Sequence, residues 1–291
     1  MRKHRCVAIG LWMICQVWWG IGITKQLRAE GASEAPGFLT QVTWATVKIT
    51  NPGSTASGFL VELPTGQWML VSAAHVFSTM KGEECTIILH RRGEDGRIAT
   101  YPQTVAIRRE NKDLWKKHPT ADVAALKIDV QHDANLGVLP YDCLATEEVL
   151  KKLPLEPGLI VRALGFPHAN IFKGNPEEFG IARLGCIASY PLFPTKENPH
   201  FLVDMNTFEG DSGGPVFALA GRNGESRDAG GLSSGYVIGL VSGQHFVDEE
   251  FKLIYQSGKF RHRMGLAIIV PSVFIRETID RLMALTENSG P

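Results

Sequence analysis

From Gly37 onward, short runs rich in Val, Ile, Thr and aromatic residues alternate with Gly, Pro and Asn turns. They fall at 45–50, 57–63, 67–72, 85–91, 123–128, 159–164, 181–189, 201–205, 215–219, 236–242 and 265–270. Many short strands at such intervals predict an all-β barrel or sandwich. One helix is predicted, over about 272–285: Ser272 follows Pro271 as a cap, and Ile275, Ile279 and Leu282 share one face. It should pack against the strands and end the fold. The Pro-rich stretch Leu153-Pro-Leu-Glu-Pro-Gly158 separates two strand-rich halves, 37–144 and 145–291, with the boundary between about 140 and 158. The tract 220–235 is polar and Gly-rich and reads as a long surface hairpin loop.

Ahead of the strands the pattern changes. Residues 2–5, Arg-Lys-His-Arg, form a basic head, and Cys6 to Thr24 follow as nineteen residues with one amide, Gln16, and no charge. That is a secretory pattern, so residues 1–31 read as a signal peptide, with cleavage expected near Ala29-Glu30-Gly31. The apolar stretch also reaches the length of a membrane span, and an N-terminal anchor over residues 6–24 is the alternative. Either way the protein is expected to be exported, to a periplasmic or extracellular location.

The chain has 291 residues, 30 basic against 30 acidic, with 44% hydrophobic and 21% charged positions. This is ordinary globular usage, and it excludes disordered, collagen-like and coiled-coil designs. Without residues 1–31, which hold Arg2, Lys3, Arg5, Lys25, Arg28 and Glu30, the balance is 25 basic against 29 acidic. No basic stripe marks a nucleic-acid partner. Outside the N-terminal segment, Cys85, Cys143 and Cys186 are too far apart in sequence to suggest a metal site, and although an oxidising compartment would permit one disulfide, nothing demands it. Neither metal nor organic cofactor is expected.

Three separate places carry chemistry. Phe208-Glu-Gly-Asp-Ser-Gly-Gly-Pro-Val216 sets a serine among glycines between strand runs. The glycines let the backbone bend tightly and aim its N–H groups outward, where an oxyanion can receive them. Trp68-Met-Leu-Val-Ser-Ala-Ala-His75 is an apolar strand that runs through small residues into a histidine, and in Thr120-Ala-Asp-Val-Ala-Ala-Leu-Lys-Ile128 an acid, Asp122, stands at the start of a buried-looking strand. A hydroxyl nucleophile, an imidazole base and a carboxylate that fixes the imidazole tautomer are the parts of an acyl-transfer site.

In the chain order His75, Asp122, Ser212 the sequence resembles the trypsin-like, chymotrypsin-fold serine proteases. The resemblance covers about residues 37–285. It implies two packed six-stranded antiparallel β-barrels with a C-terminal α-helix, the first carrying His75 and Asp122 and the second Ser212. By the same comparison Ser212 is the nucleophile, His75 the base and Asp122 its orienting acid. The N–H groups of Gly210 and Ser212 form the oxyanion hole, Ser242 and Gly243 pair with substrate backbone, and Asn206 lies at the floor of the pocket for the residue preceding the cut. Gln244 is placed at the pocket wall.

The departures from the pattern also inform. Val76 stands where animal trypsins carry a disulfide-forming cysteine, and there is no Ile-Val-Gly-Gly start to the first barrel. Trypsinogen-style activation, by a new N-terminal amine pairing with Asp211, is therefore not expected. Ala163-Leu-Gly-Phe-Pro167 and Arg183-Leu-Gly-Cys-Ile-Ala-Ser189 resemble the bacterial branch, including HtrA-type enzymes, although the sequence is read as lacking their PDZ module. Asn206 carries no charge, so the resemblance implies an uncharged, small or medium residue before the cut rather than Arg or Lys. The reading is a serine endopeptidase acting on polypeptides. Two alternatives use the same residues: a catalytically silent protease-like binding or scaffold module, and an esterase with the same triad.

Overall fold

Helix α1 (Phe38–Ala45) leads into three strands, β1 (Thr46–Asn51), β2 (Ser54–Glu62) and β3 (Trp68–Ser72), then the short helix α2 (Ala74–Thr79) and a long hairpin of β4 (Glu84–Arg92) and β5 (Ile98–Ala106). The short strands β6 (Arg108–Arg109), β7 (Lys112–Asp113) and β8 (Lys116–Lys117) precede β9 (Ala124–Ile128), β10 (Leu139–Pro140) and helix α3 (Glu147–Lys152). The second half holds β11 (Ile160–Gly165), β12 (Ile181–Ile187), β13 (Phe201–Asp204), β14 (Pro215–Leu219), β15 (Gly235–Lys252), β16 (Ser257–Pro271) and helix α4 (Ser272–Glu287). This computed structural model describes residues 37–93, 97–130, 136–167, 179–219, 234–252 and 256–287. The signal or anchor segment and nearly all of the 220–235 tract lie outside the described residues.

The C-terminal half closes into a six-stranded antiparallel barrel in the order β11-β12-β13-β16-β15-β14. The N-terminal half, expected as the first six-stranded barrel, is not seen to close among the described residues. It is an eight-stranded sheet in the order β5-β4-β1-β2-β3-β9-β8, with β10 added to β2, and its two end strands do not pair with each other among the described residues. The ends are poor pairing edges. β5 carries Pro102, which has no N–H to offer and is tolerated on an edge strand, and β8 is two exposed lysines.

The centre of the sheet is buried on both faces. Register puts Val47, Ile49, Ile87 and Leu126 on one side and Phe59, Val61, Met69 and Val71 on the other, all of them buried, and α4 joins that core from the far end of the chain through Phe274, Ile275, Ile279 and Leu282. Ile275 and Ile279 are completely buried, which contributes roughly 1.5–3 kcal/mol each. Polar ties fix the helix start. The Ser272 hydroxyl donates to the Ala145 carbonyl at 2.7 Å, and Arg276 donates to the Leu144 carbonyl at 2.9 Å while lying over the Tyr141 ring. The second core, inside the barrel, is built from Val161, Ala163, Ile187, Phe201, Val203, Val216, Ile238, Val241 and Ile269.

Beyond Gln244, β15 and β16 leave the barrel as a two-stranded ribbon. A register shift between Gln244 and Phe246 places His245 opposite Met264, Gly265 and Leu266. Cross-strand pairs line the ribbon, Arg261 with Asp248, Lys259 with Glu250 and His262 with Glu249. Cys85, Cys143 and Cys186 are all free thiols, and burial pushes the Cys85 thiol up to about 12.

Candidate active site

Strand β3 delivers the histidine. It ends at the small, buried Ser72, Ala73 follows as an equally buried link, and the chain turns straight into α2 with His75 as its second residue. The His75 carbonyl is held by the hydroxyls of Ser78, at 3.0 Å, and Thr79, at 2.8 Å. The imidazole is half-exposed and faces Asp122, with Nδ1 2.7 Å from Oδ2. The backbone N–H of the same histidine donates to Asp122 Oδ1 at 2.9 Å, and the hydroxyl of Ser242 donates to Oδ2 at 2.6 Å. Burial pushes the Asp122 carboxyl up, but the hydrogen bonds from His75 and Ser242 and the nearby His75 charge outweigh it and hold the group below the ordinary carboxylate range.

Asp122 sits in a tight loop before β9, built around a second, buried histidine. His118 Nδ1 accepts from the N–H groups of Ala121, at 3.1 Å, and Thr120, at 3.3 Å. Those donors put the ring proton on Nε2, which donates to Glu277 Oε2 of α4 at 2.9 Å, and Phe274 of the same helix packs edge-on against the ring. The C-terminal helix thus braces the loop that carries the acid.

The serine turn is held from both halves of the molecule. Gly210 and Gly213 have φ of 100° and 86°, a region open to glycine and strained for other residues. At Gly213 space is also lacking: a Cβ there would lie 2.1 Å from Ser72 Oγ and 2.2 Å from the Ser57 carbonyl oxygen. The turn is pressed onto the β3–α2 junction that presents His75. Ser57 of β2 is fully buried and clamps it, since its N–H donates to the Ser212 carbonyl at 3.0 Å and its hydroxyl donates to the Gly210 carbonyl at 2.6 Å. The same hydroxyl accepts from the Phe166 N–H at 2.8 Å, and Ser72 in turn donates to the Ser57 carbonyl. With the Asp211 N–H bound to the Phe208 carbonyl, both ends of the Gly210–Asp211 peptide are fixed. Among the described residues the N–H groups of Gly210 and Ser212 have no acceptor within the protein. The Ser212 hydroxyl points to the Ser242 carbonyl at 3.4 Å rather than to His75.

Asp211, next to the serine, is buried, and Arg183 of β12 meets its Oδ2 through Nε and Nη2, both at 3.0 Å. The Phe208 N–H donates to the same oxygen at 2.8 Å. The cation that holds this acid therefore comes from inside the barrel. Its removal would strand a buried charge, and Arg183→Met is expected to cost about 3–5 kcal/mol in urea unfolding. The double variant Arg183→Met with Asp211→Asn should recover part of that, and equal losses in both would contradict the pairing.

His75, Asp122, Ser212, Gly210 and Ser242 thus converge. Asn206 lies on the adjoining segment, with Oδ1 3.5 Å from where a Cβ on Gly265 would stand, and Gly243 faces open space. Sequence reasoning missed Ser57, His118 and Arg183, and it assigned Ser242 to substrate backbone while the structure also gives its hydroxyl to Asp122. Only Ser57 left a local trace, a polar position in an otherwise apolar stretch.

Ser57→Ala removes the clamp on the Gly210 carbonyl. We expect kcat to fall roughly tenfold, less than the 10² to 10³ lost with an oxyanion donor itself, and KM to move little. An unchanged kcat would remove Ser57 from the support of the turn.

A carboxylate-held imidazole, a glycine-set serine and N–H groups left without an acceptor among the described residues match the parts of a serine-hydrolase site. Residues 56–223 match the trypsin-like peptidase domain, more than half of the chain, and the protein belongs to that family. Among solved structures it is similar to the Rv3671c protease in its inactive form, at 17% identity and a TM-score of 0.45 over 84% of this chain and 91% of the other. A serine-to-alanine mutant of Rv3671c from M. tuberculosis H37Rv, also inactive, matches at 17% identity and a TM-score of 0.44 over 87% and 90%. No curated protein sequence matches the chain.

Proposed function

We propose that the protein is an exported serine endopeptidase that cleaves polypeptides through an acyl-enzyme. The observation that carries the reading is the triply bonded Asp122 carboxylate, which takes both His75 N–H groups and the Ser242 hydroxyl. With Nδ1 committed to Asp122, His75 Nε2 is the nitrogen left to accept a proton from Ser212. Ser212 Oγ attacks the scissile carbonyl, and the oxyanion is received by the unaccepted N–H groups of Gly210 and Ser212, each donor worth about 2.7–4 kcal/mol. His75 then protonates the leaving amine, and water releases the acyl group by the same route. The N-terminal half, 37–144, supplies base and acid, the C-terminal half, 145–291, the nucleophile.

Rotation about the Ser212 Cα–Cβ bond moves the hydroxyl from the Ser242 carbonyl toward His75, and free enzymes commonly hold this contact loosely. That same hydroxyl position is the one observation that favours a silent binding module. Treating the purified protein with a fluorophosphonate probe and mapping the modified peptide separates the readings. Labelling at Ser212 supports the hydrolase, no labelling of folded protein favours the binding module, and labelled protein that hydrolyses esters but no peptide is an esterase.

Export rests on the basic head and the apolar stretch Cys6–Thr24. The secreted protein is expected to begin near residue 32 by intact mass, whereas a full-length, membrane-associated product would establish the anchor.

A further inference from the structure

We infer that His118 is a positioning residue for the acid of the triad: its ring nitrogen Nδ1 sets the loop that aims Asp122 at His75, and Glu277 of α4 holds the ring where it can do so. The inference rests on the peptidase reading above and adds a residue, outside the triad and its support at the serine turn, on which turnover depends.

The loop is short, and Asp122 stands at its bend. The Val123 N–H donates to the Ala121 carbonyl at 2.9 Å, which makes Asp122 the central residue of a three-residue turn. On both sides of that turn the partner is His118. Its Nδ1 accepts from the N–H groups of Ala121, at 3.1 Å, and Thr120, at 3.3 Å, and its own backbone N–H donates to the Val123 carbonyl at 2.9 Å. The neighbours of Asp122 before and after it are thus tied to one residue, while the carboxylate itself faces His75 and Ser242. Rate is sensitive to such placement, since a displacement of about 1 Å can cost on the order of 10².

The choice of residue points the same way. A side chain that accepts from backbone N–H groups just after it in the chain is the ordinary device of Asn and Asp. An imidazole adds what those cannot, a donor on the far side of the ring. Nε2 donates to Glu277 Oε2 at 2.9 Å, and Phe274 meets the ring edge-on with centroids 4.9 Å apart. His118 is only 5% exposed, and a buried ring with both nitrogens bonded is held to one tautomer and one orientation. Helix α4 is itself fixed, because Ile275 and Ile279 on either side of Glu277 are completely buried. The acid carried by the N-terminal half is therefore placed from the C-terminal helix.

The test separates the two ring nitrogens. In His118→Asn the side-chain oxygen is attached to Cγ as Nδ1 is, so the acceptor for Ala121 and Thr120 stays and the contact to Glu277 goes. In His118→Gln the polar end lies one bond further out, so the contact to Glu277 stays and the acceptor goes. Both variants lose the ring against Phe274, and a merely structural role would lower turnover alike in both. We expect His118→Gln to lower kcat roughly 10- to 100-fold with KM little changed, and His118→Asn to stay within about threefold of wild type. A second readout needs no turnover: the His75 Nδ1 proton, shared with Asp122 at 2.7 Å, should give a far-downfield proton NMR signal in wild type and His118→Asn, and a shifted or weakened one in His118→Gln. An unchanged signal in His118→Gln, or a loss in His118→Asn as large as in His118→Gln, would overturn the inference. So would nitrogen NMR of histidine-labelled wild-type protein, which requires no variant to fold, if it found the His118 proton on Nδ1 rather than Nε2. Failure of the peptidase reading shows up separately, as a wild-type protein that cleaves no peptide while the NMR contrast between the two variants persists.

Discussion

Ser212→Ala is expected to lower peptide turnover by on the order of 10⁶, the loss found when a triad nucleophile is removed, and to end fluorophosphonate labelling, while the fold persists. The fold should persist because the turn is held by backbone groups and by Ser57, not by the serine side chain. The Ser57 N–H meets the Ser212 carbonyl, the Gly213 N–H meets the Val241 carbonyl, and the Gly214 N–H meets the Asp211 carbonyl. The only hydrogen bond that the substitution breaks among the described residues is the long 3.4 Å contact to Ser242. A variant that unfolds with wild-type cooperativity at the wild-type midpoint, and yet neither labels nor cleaves, matches the expectation. Retained turnover would remove Ser212 from the chemistry.

Asp122→Asn should lose on the order of 10⁴ in turnover. An asparagine of the same shape offers one acceptor and one amide donor, where the carboxylate offers two acceptors to three donors. The His75 ring can then no longer be relied on to keep its proton on Nδ1, and Nε2 loses its role as acceptor. Ser242→Ala, which removes one donor and leaves the carboxylate, should cost far less. A loss as large from Ser242→Ala as from Asp122→Asn would shift the role of the acid to the network as a whole.

The same carboxyl has a pH signature. Its value lies below that of a free aspartate, near pH ~3.9, so its stabilising contribution is fully present above that pH and is lost as pH falls through the lowered folded value. The stability gap between wild type and Asp122→Asn should therefore hold down to about pH 4 and close below it. A gap that closes near pH 6 instead would assign the effect to another group.

Much of the fold is visible in local pattern. The run Ile160–Gly165 and the helix face of Ile275, Ile279 and Leu282 stand in the sequence as they do in the structure. The elements that escaped had weak or contrary local signals. Strand β5 is broken up by Pro102, acceptable only because the strand lies at the end of the sheet. Helix α1 is rich in β-branched and aromatic residues, and it forms because Phe38, Val42 and Ala45 bury one face. Helix α3 had its signals in Thr146, whose hydroxyl accepts from the Val149 N–H, and in Glu147 and Lys151 one turn apart, but it is only six residues long. The ribbon beyond Gln244 falls outside the predicted strand runs because its exposed, charged residues show no buried face.

By itself the sequence determined the strand-rich architecture and the closing helix, and it singled out the serine, histidine and aspartate that the fold brings near one another. Those features reside in consecutive residues: a period of two, a period near four, and a glycine on either side of a bend. Only the tertiary structure decided what holds these residues in place. Ser57 reaches the Gly210 carbonyl across 153 residues, His118 reaches Glu277 across 159, and Ser242 reaches Asp122 across 120. Arg183 becomes the partner of Asp211, and Arg263 comes to rest on Phe208, by the same packing of distant segments. Such contacts have no local pattern, because a hydrogen bond or ion pair depends on where two chain segments meet, and that is set by how the sheet, barrel and helix pack.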